Sequence, residues 1–534
     1  MITKKQHKNI KSSIFDIILI VFAIVIVFFI EYFLHLIGFG ESYSLANTKT
    51  VNGKNVYEIN ENFPHKYFST NIKNSPKFKP QSFQIEKKPN TFRIFIVGGN
   101  VATGVPYDKS ITLTNMLNYS LEKINPDINF EIIDLTVNSF SSFAVADIIK
   151  KTPKYKPNLI IINTGYNEFF GIPNAPKLYN YRLEYFLVKS FIYFRQTRIY
   201  QLIETIINYF SEQTINEINY LQADYSNDKI KFQSKQYLQK RKDFLRNLYK
   251  IESITSKYKI PVMISSVSSN ISDIPPFQSL FNDEELTDIN LNSEIKHYLT
   301  QGQNTRATDW LEDLKSWEPQ SAIYYYSKAN LDKKNNQIKS SLRNYTIAIR
   351  IDQFHFRPLE DWNFAIKNFA YEKKWIFVDI NSLYDKKTDN KLNCDKIFVD
   401  HIHPNIYGYW LFVNEHILEM HENNLPNNST NHKLTFKNFQ NNYPITNFTK
   451  MNQKIYSDKI NNYTISKKYL IKKDYNINSI ATNYAFKHIN NNLDWKTASM
   501  KLLKYYNDNE KKEEAMKCST NILRAYPNFF EKGK

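Results

Sequence analysis

The chain has 534 residues, 42% hydrophobic and 23% charged, which is enough for roughly three or four structural units and at least one large buried core. That composition excludes a collagen-like repeat, a disulfide-knotted scaffold and a wholly disordered chain. Lys and Arg number 70 against 52 Asp and Glu, a formal charge of +18, but the lysines are spread along the chain among asparagines. No recognition-helix, RNP or zinc-finger pattern accompanies them, so the excess reads as a solvated surface, and no nucleic-acid partner is expected. Cys394 and Cys518 fit no metal-ligand spacing, and no cofactor-binding motif is present.

The N-terminus carries Lys4, Lys5, Lys8 and Lys11, and residues 17–30 form an uninterrupted apolar run within a stretch reaching Phe39. Residues 14–39 are long enough to cross a bilayer. The basic flank predicts a single-pass protein with its N-terminus cytoplasmic and its main domain extracytoplasmic. A cleaved signal peptide is the rival reading. The small-residue site at Ser44-Leu45-Ala46 lies far beyond the apolar run, and that run exceeds a typical signal core, so an uncleaved anchor is favoured.

Residues 41–90 are polar and read as a linker. Short apolar runs then recur at 92–97, 130–135, 159–163, 261–265 and 375–380, with helical spacing at 113–124 and 145–151. Buried strands alternating with helices predict an α/β fold with a parallel sheet covered on both faces. Ligands bind such sheets at the carboxyl ends of the strands. Four of these ends or late loops carry polar segments: Gly98-Gly99-Asn100, Asp134-Leu135-Thr136, Gly165-Tyr166-Asn167-Glu168 and Asp400-His401-Ile402-His403-Pro404. An Asp three residues before a His can hold the imidazole Nδ1 and leave Nε2 free as a base. A metal held by His401 and His403 is also open, although no third ligand stands at metal-site spacing.

In this order, these segments resemble the SGNH/GDSL hydrolase family. Asp400, His403, Pro404 and Gly408 match its last block, and Gly165, Asn167 and Glu168 match its Gly-x-Asn-Asp/Glu block. Arg93-Ile94-Phe95, Pro106-Tyr107, residues 167–171 and residues 269–277 are similar to a membrane-anchored bacterial subgroup with added tetratricopeptide helices. The resemblance covers roughly residues 92–421. It implies a three-layer α/β/α sandwich, ester hydrolysis on acylated glycans or lipids, His403 as base, Asp400 as its orienter, and Asn167 as an oxyanion donor.

Two positions depart from that family. Asn100 stands where the family has its nucleophilic Ser, and an amide has no hydroxyl to form an acyl-enzyme. Thr136 stands where the resemblance places an oxyanion-hole Gly; its N–H remains, but it adds a Cβ where crowding of the pocket and restricted dihedrals are both open. Losing the nucleophile costs on the order of a million-fold in kcat, so impaired catalysis is expected. Two rescues are open. His403 could activate water directly, or Thr103, Ser139, Ser141 or Ser142 could supply a hydroxyl. Three helical residues carry Thr103 ~4.5 Å along the axis from position 100, which is far for a substitute nucleophile.

The remaining chain reads as helical. Residues 321–332 and 338–350 form a tetratricopeptide-like pair, with Ser341, Tyr345 and Ala348 at its buried positions. Residues 498–527 form a second, with Leu502, Tyr506, Ala515 and Pro527. The expected organisation is a basic tail and anchor (1–40), a linker (41–90), a first α/β part (91–290) and a helical insertion (291–368). The last α/β part (369–421), an Asn-rich linker (422–475) and C-terminal helices (476–534) follow. Besides the impaired hydrolase, two readings remain: a non-catalytic binder of acylated glycan or lipid, and an anchored scaffold that binds a protein partner through its helical repeats.

Overall fold

The computed structural model describes residues 4–51, 53–68, 76–107, 109–169, 181–210, 230–279, 288–427, 434–463, 479–490 and 492–526. Phe170, Gly171 and Pro527, singled out in the sequence, lie outside them. The chain opens with helix α1 (Lys4–Leu36), followed by strands β1 (Ala46–Val51), β2 (Lys54–Ile59) and β3 (Ser82–Gln84). Next come β4 (Thr91–Gly98), α2 (Leu113–Ile124), β5 (Asn129–Thr136), α3 (Ser142–Ile149) and β6 (Leu159–Asn163). Helices α4 (Tyr181–Arg195), α5 (Arg198–Phe210) and α6 (Lys235–Lys257) precede β7 (Val262–Ser265). Helices α7 (Asp288–Thr300), α8 (Asn304–Trp317), α9 (Ala322–Lys334), α10 (Ile338–Ile351) and α11 (Glu360–Glu372) precede β8 (Ile376–Val378). The chain continues with α12 (Ile380–Lys387), α13 (Ile406–Glu422), α14 (Phe436–Asn442), α15 (Asn447–Tyr463), α16 (Ile480–Ile489), α17 (Trp495–Asp508) and α18 (Lys512–Ala525).

Two compact units divide the chain. One comprises Met1–Leu45, Asn60–Lys77 and Ile172–Ala223; the other comprises Ala46–Ile59, Phe78–Gly171 and Asp224–Lys534. In the first, α1 contacts α5 and α4 contacts α5. Among the described residues, α1 is the one helix long and apolar enough to cross a membrane, over Phe15–Leu36.

The second unit is built on a five-stranded sheet in the order β5-β4-β6-β7-β8, every neighbouring pair parallel. Residues 92–98 of β4 and all of β6 are buried, as continuous apolar strands in a doubly covered sheet must be. This is the α/β architecture expected from the sequence. The chain steps from β4 outward to β5, then back across β4 to β6, β7 and β8. Right-handed crossovers therefore put α2 on one face and α3, α6 and α11 on the other. The contacts agree: α2 packs on α13, α3 on α6, and α11 on β7 and β8. The direction reverses at β4, so the carboxyl ends of β4 and β6 diverge into a crevice suited to a ligand.

The segment read as a linker over 41–90 contains an antiparallel sheet, β1-β2-β3. It is held to the domain by aromatic packing of Tyr57 and Phe83 on Tyr155, with ring centroids 4.8 and 5.8 Å apart. Arg93, fully buried, donates to the Gln84 carbonyl and to Glu131. The segment read as a linker over 422–475 likewise contains α14 and α15. Phe448 and Ile455 of α15 share a core with Ala485, Ala498, Leu502 and Ile522 of the following helices. Its partners lie downstream in sequence, so no period within 422–475 marks it.

Gly98 ends β4 so close to β6 that a Cβ would lie 2.1 Å from the Asn163 carbonyl oxygen. Gly53, at φ +74°, has nothing within 4 Å of its would-be Cβ. Gly98→Ala is therefore expected to destabilise the fold by about 3 kcal/mol, the upper end of overpacking. Gly53→Ala should cost only the conformational 1–2 kcal/mol or so. Urea unfolding of the two variants checks the difference.

Candidate active site

The loop after β4 sets the first half of the site. Asn100 opens a short 3-10 turn and adopts φ +32°, a left-handed conformation that Asn tolerates better than most residues. Its side chain forms a reciprocal amide pair with Asn167, which follows β6. Asn100 Nδ2 donates to Asn167 Oδ1 at 2.9 Å, and Asn167 Nδ2 donates back to Asn100 Oδ1 at 3.2 Å. The Ser139 backbone N–H donates to the same Asn100 oxygen at 2.9 Å. Asn167 Nδ2 also reaches the Phe140 carbonyl at 3.1 Å. The pair is therefore fixed in orientation from both sides.

Thr136 does not take part in this cluster. Its N–H and its hydroxyl both donate to the Asp134 carboxylate, at 3.1 and 2.6 Å. The backbone donor aimed at Asn100 is that of Ser139, held at φ +71°. The N–H of Thr136, the expected oxyanion position, is thus committed within its own strand, while the turn after β5 brings the Ser139 N–H to Asn100.

The substitute hydroxyls fare differently. Thr103 Oγ lies 2.6 Å from the Asn100 carbonyl oxygen and 2.5 Å from the Asn138 side-chain oxygen, so its proton is committed to one of them. Ser142 Oγ donates to Glu168 at 2.6 Å and accepts from Asn247. Ser141 Oγ is buried without a hydrogen-bond partner among the described residues. Glu168 caps α3, accepting from the Ser142 N–H and from Thr164.

The second half of the site is the loop before α13. Asp400 is fully buried, and its two oxygens accept four hydrogen bonds. Oδ1 takes the N–H groups of Ile402 and His403 at 2.8 and 2.6 Å. Oδ2 takes His403 Nδ1 at 2.6 Å and the Tyr456 hydroxyl at 3.0 Å. Burial pushes the carboxyl up, but the His403 and His401 charges and the hydrogen bonds from His403 together hold it well below the usual carboxylate range. With Nδ1 bound to Asp400, His403 Nε2 is buried and has no hydrogen-bond partner among the described residues. His401 turns away against Phe277 and Phe356, and burial pushes it down to about 4. Among the described residues, no group of three or more His, Cys, Asp or Glu could hold a metal ion.

Long-range contacts bring the two halves together. The Tyr409 hydroxyl donates to the carbonyl of Val101, next to Asn100, at 2.7 Å. From the loop after β7, the Asn270 N–H donates to the His401 carbonyl at 2.8 Å. Arg357 braces that loop by donating to the carbonyls of Asn270, Ile274 and Pro275 while paired with buried Asp352 at 3.1 Å. This is the structural work of the 269–277 motif. Tyr456 and Gln453, which bonds the Tyr107 hydroxyl, come from α15. Neither Tyr456 nor Ser139's donor role was legible. The first lies in an aperiodic Asn/Lys-rich segment, and a left-handed serine carries no mark in its residue type.

No family model matches the chain, and no curated protein matches it. Solved structures it is similar to include a GDSL-like lipase from Bacteroides thetaiotaomicron, at 11% identity and a TM-score of 0.27, covering 62% of this chain and 88% of that one. Another is a variant of an acetyl-xylooligosaccharide esterase from Geobacillus, at 9% identity and a TM-score of 0.29, covering 62% of this chain and 94% of that one.

Burial pushes the Glu168 carboxyl up from 4.5 to about 7, despite its three hydrogen bonds. The folded state therefore holds a proton that the unfolded state releases between those values, and stability falls as pH rises from about 4.5 to about 7. Glu168→Gln should remove this slope. The stability of the variant relative to the natural protein is expected to rise by on the order of 3 kcal/mol across that window, read from thermal or urea unfolding at each pH.

Proposed function

We propose that this chain is a membrane-anchored, ester-hydrolase-like protein whose catalytic step is blocked at Asn100. The observation that supports this reading is the amide pair. Asn100 Oδ1 occupies the Ser139 N–H and the Asn167 amide, donors of the kind that would stabilise a substrate oxyanion. His403, oriented by Asp400, is left with no hydroxyl to deprotonate at the nucleophile position. The base half of the apparatus is formed and the acyl-accepting half is closed by a side chain. In this reading α1 is an uncleaved single span, the N-terminus is cytoplasmic and the α/β domain is extracytoplasmic. Acylated glycans or lipids are the ligand class for the pocket, and the tetratricopeptide-like hairpins offer a surface for a protein partner.

The test is hydrolysis of a nitrophenyl acetate ester by the full chain in detergent. The natural protein is expected to be silent. Asn100→Ser should both add a hydroxyl and release the two donors, gaining turnover at least about a thousand-fold above the natural protein, given the scale of nucleophile loss. Adding His403→Ala should abolish that gain. Turnover by the natural protein that His403→Ala removes would overturn the proposal, as would equal silence in a folded Asn100→Ser variant.

In the Asn100→Ser background, Tyr456→Phe deletes one of the four donors to Asp400. A hydrogen bond to a charged group is worth roughly 1.5–3 kcal/mol, so kcat should fall about tenfold or more with KM little changed.

A further inference from the structure

The unit containing α1, α4 and α5 has an amphipathic helix facing the opposite way from one in a water-soluble domain. In α5, Ile203, Ile206, Ile207 and Phe210 stand at i, i+3, i+4 and i+7 and form one apolar stripe. They are 44, 49, 59 and 79% exposed. The polar face of the same helix is the one turned inward. Gln201 is buried, with its side-chain amide bonded to both the N–H and the carbonyl of Glu41. Glu204 pairs with Arg195 of α4, itself 2% exposed. Among the described residues nothing covers the stripe. In α4, Phe186, Tyr193 and Phe194 are also exposed.

The position of α5 identifies what covers it. Both oxygens of the Glu31 carboxylate cap its first two backbone N–H groups, Arg198 at 2.8 Å and Ile199 at 2.9 Å. A carboxylate at a helix N-terminus is favoured by the helix dipole as well as by the hydrogen bonds. Glu31 lies in α1 near the end of the apolar window Phe15–Leu36. The Glu41 contacts place the first turn of α5 beside the residues that leave the same window. The stripe thus begins where α1 exits the hydrocarbon layer. Aromatic side chains with polar tips and an apolar helix face suit the headgroup boundary.

We propose that α5, with the exposed aromatic residues of α4, lies in the bilayer interface with its Ile203–Ile206–Ile207–Phe210 stripe buried among the acyl chains, its occupant being lipid. This rests on α1 being a membrane span. The test uses the full chain reconstituted in phosphatidylcholine vesicles, spin-labelled at Ile207→Cys or Phe210→Cys; both native cysteines are buried. Labels at Val25→Cys in α1 and at exposed Lys501→Cys serve as lipid and water references. Oxygen accessibility several-fold above nickel-chelate accessibility at both α5 positions, matching Val25→Cys, is the expected result. A water-like ratio, or low accessibility to both reagents as in a protein–protein contact, would overturn the proposal. If Val25→Cys reports lipid while the α5 positions do not, the anchor stands and the inference fails. If Val25→Cys itself reports water, the anchor reading has failed, and the inference fails with it.

Discussion

The loop that carries His403 is organised around one buried carboxylate. Asp400 is removed from water, and an ion in that position is tolerated only when every lone pair is answered. Two of its donors are backbone N–H groups of its own loop, one is the His403 ring, and the fourth is Tyr456 from α15. The loop is closed further by the Val399 N–H on the His403 carbonyl and by Asn270 on the His401 carbonyl. Asn270 in turn depends on Arg357 and Asp352, a second buried ion pair, between α10 and α11. The segment between α10 and α11 and helix α15 therefore both brace the loop that carries His403.

Opposite this loop, a different economy holds. Asn100 and Ser139 both occupy left-handed backbone conformations, which cost non-glycine residues of order 1–3 kcal/mol each. The hydrogen bonds of the amide pair offset that strain. The strained turn presents an amide, which satisfies itself on the donors around it. Retention of this geometry needs no chemistry to explain it, because an unpaired donor in a site this buried would itself be costly.

The strands were readable because each is a continuous apolar run, and a parallel sheet buried on both faces permits nothing else. Asn100 and Asn167 were readable because they follow such runs, and Asp400 and His403 because they stand three residues apart in one loop. That the Ser139 N–H rather than the Thr136 N–H faces Asn100 was not readable, because strand length by itself does not say which N–H a following turn will expose. The two segments read as linkers hold ordered elements whose apolar partners are distant in sequence: Tyr155 for Tyr57 and Phe83, and Leu502 and Ile522 for Phe448 and Ile455. Local periodicity records only the faces a helix or strand buries along its own length, and these elements bury too few apolar residues to show one.

By itself the sequence determined the strand set, the apolar N-terminal helix, the Asp400–His403 spacing and the amide side chain at position 100. All of these follow from residue type and near-neighbour spacing. Tertiary structure alone decided that Asn100 pairs with Asn167, that Ser139 rather than Thr136 supplies the backbone donor, and that Tyr456 completes the shell of Asp400. It alone decided that α5 turns its polar face inward. The reason is common to all four. A hydrogen bond or a covered face is a relation between segments far apart in the chain, and a sequence pattern specifies each partner's chemistry but not which partner will arrive.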